Sequence, residues 1–231
     1  MAINQLGEGL SLQAVGARTS LRHEAIQTLQ AAIIAGELRP GVVYSAPTLA
    51  AQLGMSPTPV REAMLDLVKE GLVQTVRNKG FRVVELAGDE LDELTELRLL
   101  IEVPSVRRIA ERGLSKPEHT RLRALAAGIE RSAHQRDMIA HNKTDLEFHT
   151  GLLALLGNAT LVTVVRSLRI RSRLYGMAAL ADAGRLHPSS REHAELLDLI
   201  QARDAAGAEA LMRRHIGHVR TSWATGTSGQ G

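Results

Sequence analysis

Apolar residues recur at three- and four-residue spacing along most of the chain, which is the period of helices with one buried face. The first such segment covers residues 21–35. A shorter one covers residues 47–53, and Gly54-Met55 then predicts a tight turn into a third segment that ends at Gly71. Two short helices joined in this way form a helix-turn-helix arrangement.

The third segment has a well-marked start. Ser56 is placed to cap the helix, and Pro57 and Pro59 fall in its first turn, where backbone N–H groups have no partner within the helix. An apolar stripe beginning at Val60 marks the core side. The polar residues that lie off this stripe near the N-terminal end are Thr58, Arg61 and Glu62. We therefore expect these side chains to be offered to a partner.

A β-hairpin is predicted directly after this helix. Residues 72–76 and 81–84 are short runs of strand type, and residues 77–80 contain the turn between them. Arg77, Lys79 and Arg82 place three cations at the tip of the hairpin. A hairpin in this position is a wing. Its cations suit contact with DNA phosphates or the minor groove while the preceding helix enters the major groove.

Helical spacing resumes after residue 88 and continues almost to the end of the chain. We expect helices over residues 91–112, 115–135, 143–156, 160–181, 189–203 and 205–223, with Ser189 and Glu192 forming a capping box. The fold class is mainly α, a winged helix-turn-helix with a small β-hairpin followed by an all-α helical bundle. The predicted domains are a flexible arm at 1–19, the winged domain at 20–86, the helical domain at 89–223 and a flexible tail at 224–231.

Four polar residues lie on the apolar stripes of these later helices. Asp145 and His149 are four residues apart and share a face, while His193 and His215 lie on the core sides of two further helices. Burying such groups without partners costs several kcal/mol. A divalent metal held by three imidazoles and one carboxylate would satisfy all four, with zinc favoured and nickel or manganese as alternatives. The competing interpretation is that each histidine is a hydrogen-bonded core residue.

Arg98 also lies on an apolar stripe, three residues before Ile101, and a buried guanidinium needs an anion. Glu102, one turn further on, is one candidate partner. A small molecule carrying a carboxylate is the other, and the spacing does not choose between them. Other basic residues are expected on solvated faces, although one of the arginines could reach the same cavity. These residues are Arg166, Arg169, Arg171 and Arg173, with His23, His119, His134, His141, His187 and His218.

Composition narrows the class of protein. The 231 residues include 44% hydrophobic residues, 2% aromatic residues and no cysteine. Two globular domains are expected at this length, and the scarcity of aromatic side chains argues against proteins that stack the bases of single strands. No apolar run is long enough to span a membrane and no secretory signal is visible, so we expect a cytoplasmic protein. The net charge of +3 does not itself indicate nucleic-acid binding, which rests on the local placement of cations.

Several motifs resemble a known family. Residues 49–64, with Lys69-Glu70-Gly71-Leu72-Val73 and Asn78-Lys79-Gly80-Phe81, resemble the DNA-binding domain of the GntR family of bacterial transcription regulators. The helical remainder is similar to the FadR-type C-terminal ligand-binding domain, called FCD. Its signatures appear as Glu96-Leu97-Arg98 with Glu102, Asp145-Leu146-Glu147-Phe148-His149, Arg191-Glu192-His193 and Arg213-Arg214-His215-Ile216. The complete Asp/His/His/His set is typical of the metal-binding branch of that domain.

The resemblance implies a homodimer whose two winged domains bind a palindromic operator in double-stranded DNA. It implies that a small, often carboxylic, effector binds beside or on a metal in the helical domain, with Arg98 as its contact. The implied metal ligands are Asp145, His149, His193 and His215. The implied DNA-binding residues are Ser56, Thr58, Arg61, Arg77, Lys79 and Gly80.

We therefore predict a transcription regulator, expected to be a repressor, and not an enzyme. One alternative is a metal-dependent hydrolase, since such a metal could activate water. No glutamate or histidine is clearly placed as its general base, because Glu147, two residues after Asp145, faces away. The other alternative is a regulator in which the metal is purely structural or is itself the signal.

Overall fold

The computed structural model describes residues 16–34, 37–85, 88–182 and 186–226. The elements of the N-terminal part are α1 (Gly16–Ile34), β1 (Val43–Tyr44), α2 (Ala46–Leu53), α3 (Pro57–Lys69), β2 (Val73–Val76) and β3 (Gly80–Val83). Those of the C-terminal part are α4 (Gly88–Arg112), α5 (Lys116–Gln135), α6 (Met138–Leu153), α7 (Ala159–Asp182), α8 (Leu186–Gln201) and α9 (Ala205–Gly226), with a 3-10 turn at Ala154–Leu156. Among the described helices, none is long and apolar enough to cross a membrane.

Parts of some predictions lie outside the described residues. These are residues 1–15 of the predicted arm, residues 227–231 of the predicted tail, and the side chains of Arg173 and His187. At both ends the helices are longer than predicted. Residues 16–19 of the predicted arm belong to α1, and residues 224–226 of the predicted tail belong to α9.

Local capping residues build the helix-turn-helix. The Oγ of Ser45 accepts a hydrogen bond from a backbone N–H in the first turn of α2, and Gly54 ends that helix at a left-handed φ of 64°. Ser56 precedes α3 in an extended conformation as predicted, but its side chain makes no capping hydrogen bond. Pro57 therefore supplies the start of α3, because its fixed φ suits the first helical position. Gly71, at φ +76°, turns the chain toward β2.

The three strands form an antiparallel sheet in the order β1-β3-β2. Val43 faces Arg82 across the first pair, and Val73 faces Val83 across the second. This confirms the predicted wing hairpin, and β1 adds a third short strand just before α2. The sheet and the first three helices enclose one apolar core, and Ile170 of α7 is buried in that same core. The helical bundle is thus in direct contact with the winged part of the chain.

The helical bundle has a core of its own, in which α4 packs against α7 and α9, and α5 packs against α6 and α8. The start of α5 is the predicted one. Glu118 accepts hydrogen bonds from the backbone N–H of Ser115 at 2.7 Å and from its Oγ at 2.8 Å. These bonds satisfy groups that the helix itself leaves unpaired.

Two other helix starts differ from the prediction. Helix α6 begins at Met138 rather than at residue 143, because the Oδ1 of Asp137 accepts from the backbone N–H of Ala140 at 2.9 Å. Helix α8 begins at Leu186, so Ser189 lies inside the helix and is buried. The predicted capping box at Ser189 and Glu192 is therefore wrong, and Glu192 has other partners.

Candidate functional site

The outward face of α3 is polar. Val60 and Met64 are buried in the core of the winged part, which fixes the rotation of the helix. Ser56, Thr58 and Arg61 are consequently exposed together at its N-terminal end. This is the part of a recognition helix that meets base edges in helix-turn-helix proteins.

The wing tip presents the predicted cations. Arg77 and Lys79 are exposed in the turn between β2 and β3. Gly80 follows them with a φ of +131°, and a Cβ atom at this position would lie 2.2 Å from the carbonyl oxygen of Tyr44. The close approach of β1 therefore requires glycine here, which is a structural reason that the sequence motif did not reveal.

Asp145, His149, His193 and His215 converge inside the helical bundle. The first two come from α6, the others come from α8 and α9, and all four are buried. One ligand atom from each lies within 4.8 Å of the ligand atoms of the others. The Nε2 of His193 is 2.9 Å from the Oδ1 of Asp145 and 3.0 Å from the Nε2 of His149. Four tetrahedral bonds of about 2.0–2.1 Å would separate ligand atoms by about 3.3 Å, so the cluster has the size of a metal site.

The outer nitrogens of two of these rings face hydrogen-bond acceptors. The Nδ1 of His193 is 3.0 Å from the carbonyl oxygen of Ser190, and the Nδ1 of His215 is 2.9 Å from the Oε2 of Glu192. A neutral imidazole carries one N–H. When Nδ1 donates it to these acceptors, Nε2 presents a lone pair to the cluster, as in metal-binding histidines.

The charge states of two neighbouring groups suit this arrangement. Burial acts to raise the pKa of Glu192, but hydrogen bonds from His215 and His218 outweigh it and hold that pKa well below its usual range. Burial, with the charge of Arg169, lowers the pKa of His149 well below its ordinary value. Glu192 is therefore an ionised acceptor, and His149 is the neutral form that binds metals.

Two buried arginines adjoin the cluster and share one carboxylate. The Nε of Arg169 donates to the Oε2 of Glu102 at 2.8 Å, and its Nη1 donates to the Oδ2 of Asp145 at 3.4 Å. The Nε of Arg98 donates to the other oxygen of Glu102, also at 2.8 Å. Of the two partners considered for Arg98, the internal one is thus observed. The expectation of a solvated face is wrong for Arg169, because its side chain is fully buried. It reaches the interior, as the alternative allowed for one of the arginines.

Among the described histidines that were expected at the surface, His141 is buried and His119 and His218 are half-buried. The Nδ1 of His141 lies 3.2 Å from the carbonyl oxygen of Ile129. The Nε2 of His218 lies 3.0 Å from the Oε1 of Glu192. The position of His141, four residues before Asp145, is a signal that could have found it. No comparable helical signal marked Glu192, because its partners come from a different helix.

A winged helix-turn-helix joined to a helical bundle with a polar interior site defines a class of protein, the transcription regulators with a C-terminal ligand-binding domain. Residues 21–83 match the model of bacterial regulatory proteins of the gntR family, and residues 93–218 match the FCD domain. The chain belongs to the GntR family and carries a FadR-type FCD domain.

Individual relatives agree with this assignment. The Nta operon transcriptional regulator of Aminobacter aminovorans is 33% identical over 180 residues, covering 77% of this chain and 82% of that protein. The transcriptional repressor GlaR of Escherichia coli K12 is 29% identical over 199 residues, covering 80% and 87%. The solved structure of E. coli McbR/YncC has a TM-score of 0.74 at 24% identity, covering 90% of this chain and 98% of that chain, and supports the fold. The family and these relatives confirm the prediction of a regulator over that of an enzyme.

Proposed function

We propose that this protein is a metal-containing, homodimeric repressor whose binding to a palindromic operator changes when a small carboxylate effector binds in the helical domain. The observation that carries the proposal is the buried set of Asp145, His149, His193 and His215. Its members come from three helices and bring their ligand atoms within 4.8 Å of one another. Lone pairs gathered this closely repel one another unless a proton or a cation lies between them, and one divalent cation would satisfy all four groups at once.

The DNA-binding part of the proposal assigns residues 20–86 to the winged domain and residues 89–223 to the effector domain. Base contacts come from the exposed start of α3, and phosphate contacts come from the wing tip. The contacting residues are Ser56, Thr58, Arg61, Arg77, Lys79 and Gly80. A dimer is proposed because one short helix covers too few base pairs for useful specificity. The name of GlaR, a repressor, supports repression.

Charge in the interior favours an anionic effector. A divalent ion would add two positive charges to those of Arg98 and Arg169, against the negative charges of Asp145, Glu102 and Glu192. The bound ion would supply a coordination position for a carboxylate oxygen. Glu102 and Ser172 take two of the five N–H donors of Arg98, so its guanidinium can bind an effector without releasing Glu102.

Consecutive residues of α7 offer a connection from this site to the recognition helix. Arg169 donates to Asp145, while the next residue, Ile170, is buried in the core of the winged part. Arg171 packs over Gly71 at the end of α3, where an added Cβ would lie 3.1 Å from its Cδ. A displacement of α7 caused by the effector would therefore reach α3 through direct packing.

Elemental analysis tests the metal site. Wild-type protein should contain about one divalent ion per chain, and a His149→Ala/His193→Ala variant should contain none. His134→Ala is the control, because His134 is an exposed histidine on α5 and should leave the metal in place. Equal metal contents in all three proteins, or none in any, would overturn the site. If metal-loaded protein binds no carboxylic acid in calorimetry, the metal is structural or is itself the signal.

Selection from a library of random DNA duplexes tests the DNA-binding part. The selected sequences should share two inverted half-sites whose centres are about one helical turn apart, or a multiple of it. Light scattering should give the mass of two chains. A single asymmetric site bound by one chain would contradict the proposed dimer.

A further inference from the structure

A cavity of about 380 Å³ lies at the junction between the winged part and the helical bundle. Gln27 and Ala31 line it from α1, and Lys143 and Arg166 line it from α6 and α7. The described residues that line this cavity include none of the four proposed metal ligands. Cavities that bind small molecules measure roughly 300–1,000 Å³ and are frequent at domain junctions. This space therefore has the size and position of a ligand site.

One side of the cavity carries two positively charged side chains. Lys143 and Arg166 are exposed, and neither forms a hydrogen bond or a salt bridge with another residue in the described parts of the chain. The charge of Arg166 acts on nearby Glu70, whose Oε2 already accepts a hydrogen bond from the Nε2 of Gln30 at 2.7 Å. Of the described lining residues, Glu147 alone is acidic. Two cations are thus available to an anionic group.

The rest of the lining includes apolar side chains from both parts of the molecule. Leu72 follows the recognition helix, and Leu146 and Ile170 come from the bundle. Ile139, which also lines the cavity, is 50% exposed. Covering exposed apolar surface of this kind stabilises a complex in proportion to the area removed from water. A ligand with an apolar body would cover Ile139 while its acidic group meets the cations.

We propose that this cavity is a second ligand site, which binds a small organic anion with an apolar body. The ligand class is an aromatic or medium-chain carboxylic acid. Inorganic phosphate would leave the apolar side chains uncovered, and a neutral hydrocarbon would make no use of the positive charges of Lys143 and Arg166. The proposal does not require a bound metal, because none of the four proposed metal ligands lines the cavity.

A ligand in this position would be linked to DNA binding. It would touch α1 of the winged part and both α6 and α7 of the bundle, so its affinity depends on how the two parts are placed. Linkage is reciprocal, and operator DNA should therefore change the affinity for this ligand by the same factor as the ligand changes the affinity for DNA. Arg169 lines the cavity and also contacts Asp145, so the two sites share a wall.

The first probe is 8-anilinonaphthalene-1-sulfonate, which joins an anionic group to an apolar aromatic body and fluoresces more strongly in apolar surroundings. Full-length protein should bind about one probe per chain, and octanoate or benzoate should displace it while phosphate does not. Lys143→Ala/Arg166→Ala should weaken binding by about tenfold or more, the effect of losing a charge-assisted hydrogen bond. Ala31→Trp, which fills the cavity, should abolish it. Arg131→Ala, an exposed arginine on α5, should bind like wild type.

Metal removal distinguishes this site from the metal centre. Probe binding should persist in wild-type protein treated with a chelator and in His193→Ala. Binding that is lost with the metal but unchanged in Lys143→Ala/Arg166→Ala would overturn the cavity site and assign the probe to the metal centre. Equal binding by wild type, Ala31→Trp and the double variant would also overturn it. Circular dichroism checks the fold of Ala31→Trp. If that variant is unfolded, probe binding by Lys143→Ala/Arg166→Ala tests the site instead, because this double variant is altered only at exposed residues.

Discussion

Replacing Glu192 by glutamine tests whether the metal centre depends on its outer hydrogen bonds. The Oε2 of Glu192 is 2.9 Å from the Nδ1 of His215, and its Oε1 is 3.0 Å from the Nε2 of His218 and 2.9 Å from the Nε of Arg214. Glutamine keeps the size of the side chain but loses its charge and turns an NH₂ group toward one of these donors. The amide oxygen is expected to stay with Arg214 and His218, the two donors on Oε1, so the NH₂ group faces the Nδ1 of His215 and no longer holds that ring with its Nε2 toward the other ligands.

The expected loss of metal affinity follows from the position of the Glu192 carboxylate beside a proposed metal ligand. Loss of an outer partner of a metal-binding histidine lowers metal affinity about 10–100-fold, which equals about 1.4–2.8 kcal/mol. Glu195 supplies a matched control, because it lies on the same helix, is exposed, and contacts Arg214 at 3.4 Å without touching the cluster. Glu195→Gln should therefore keep the wild-type affinity.

Competition for zinc with a chromophoric chelator measures these affinities at neutral pH. Glu192→Gln should release zinc to the chelator 10–100-fold more readily than the other two proteins. Thermal unfolding of all three without metal shows whether the substitution also alters the bundle itself. If Glu192→Gln holds zinc as tightly as wild type, the hydrogen bond to His215 does not position that ligand and our reasoning is refuted.

Three further substitutions test the winged part and the bundle. Arg61→Ala should fold normally and lose about 1–3 kcal/mol of binding to a selected operator in fluorescence anisotropy, whereas Arg131→Ala should bind like wild type. Gly80→Ala should lower the melting temperature more than Gly54→Ala, because its Cβ would meet a carbonyl oxygen of β1 at 2.2 Å while that of Gly54 has no atom within 4 Å; equal losses would contradict this packing. Glu118→Gln should lower the free energy of unfolding by about 1 kcal/mol at pH 7. The hydrogen bond from the capping backbone N–H lowers the pKa of Glu118, so the folded chain binds fewer protons there than the unfolded chain, and urea unfolding should show this advantage shrinking below about pH 4.3.

The helix-turn-helix could be predicted because its signals act within a few residues. Gly54 and Gly71 end helices through their own backbone conformations, and Pro57 begins one through its fixed φ. The β-hairpin could be predicted for the same reason, since it is a local turn between two short strands. The buried group of one aspartate and three histidines depends on contacts between distant parts of the chain. It could be predicted because each ligand lies on an apolar stripe, where a polar residue is conspicuous.

Partners on different helices could not be predicted from spacing. The period of a helix indicates which side faces inward, but not which residue of another helix that side meets. Helix α7 departs even from this rule, because Leu168, Arg169 and Ile170 are consecutive and all buried. Leu168 packs toward α4 and Ile170 packs into the core of the winged part. A helix buried on more than one side has no single stripe, so Arg169 was expected in solvent.

The predicted starts of α6 and α8 are wrong because short polar residues and proline, rather than the apolar pattern, determine where these helices begin. Asp137 caps α6 before its apolar stripe begins, so the stripe alone places the start too late. At α8 the proline and the serines resemble a start, yet Pro188 occupies a position in the first turn where it removes no helix bond. The helix begins before its predicted start in both places, at Met138 rather than residue 143 for α6 and at Leu186 rather than Ser189 for α8.

The buried chain from Arg98 through Glu102 and Arg169 to Asp145 is better explained by regulation than by stability. Buried ion pairs add little net stability, because desolvating the charges offsets their attraction. Asp145 turns its Oδ1 toward the histidine His193 and its Oδ2 toward Arg169, so a metal ion would draw negative charge away from the oxygen that holds the arginine. Arg169 would then depend more on Glu102. Because the residues that follow Arg169 are packed against the winged part, a shift of this side chain cannot be absorbed locally in a close-packed interior. The occupancy of the metal and effector site is therefore expected to bias the placement of α3, as a regulator of this architecture requires.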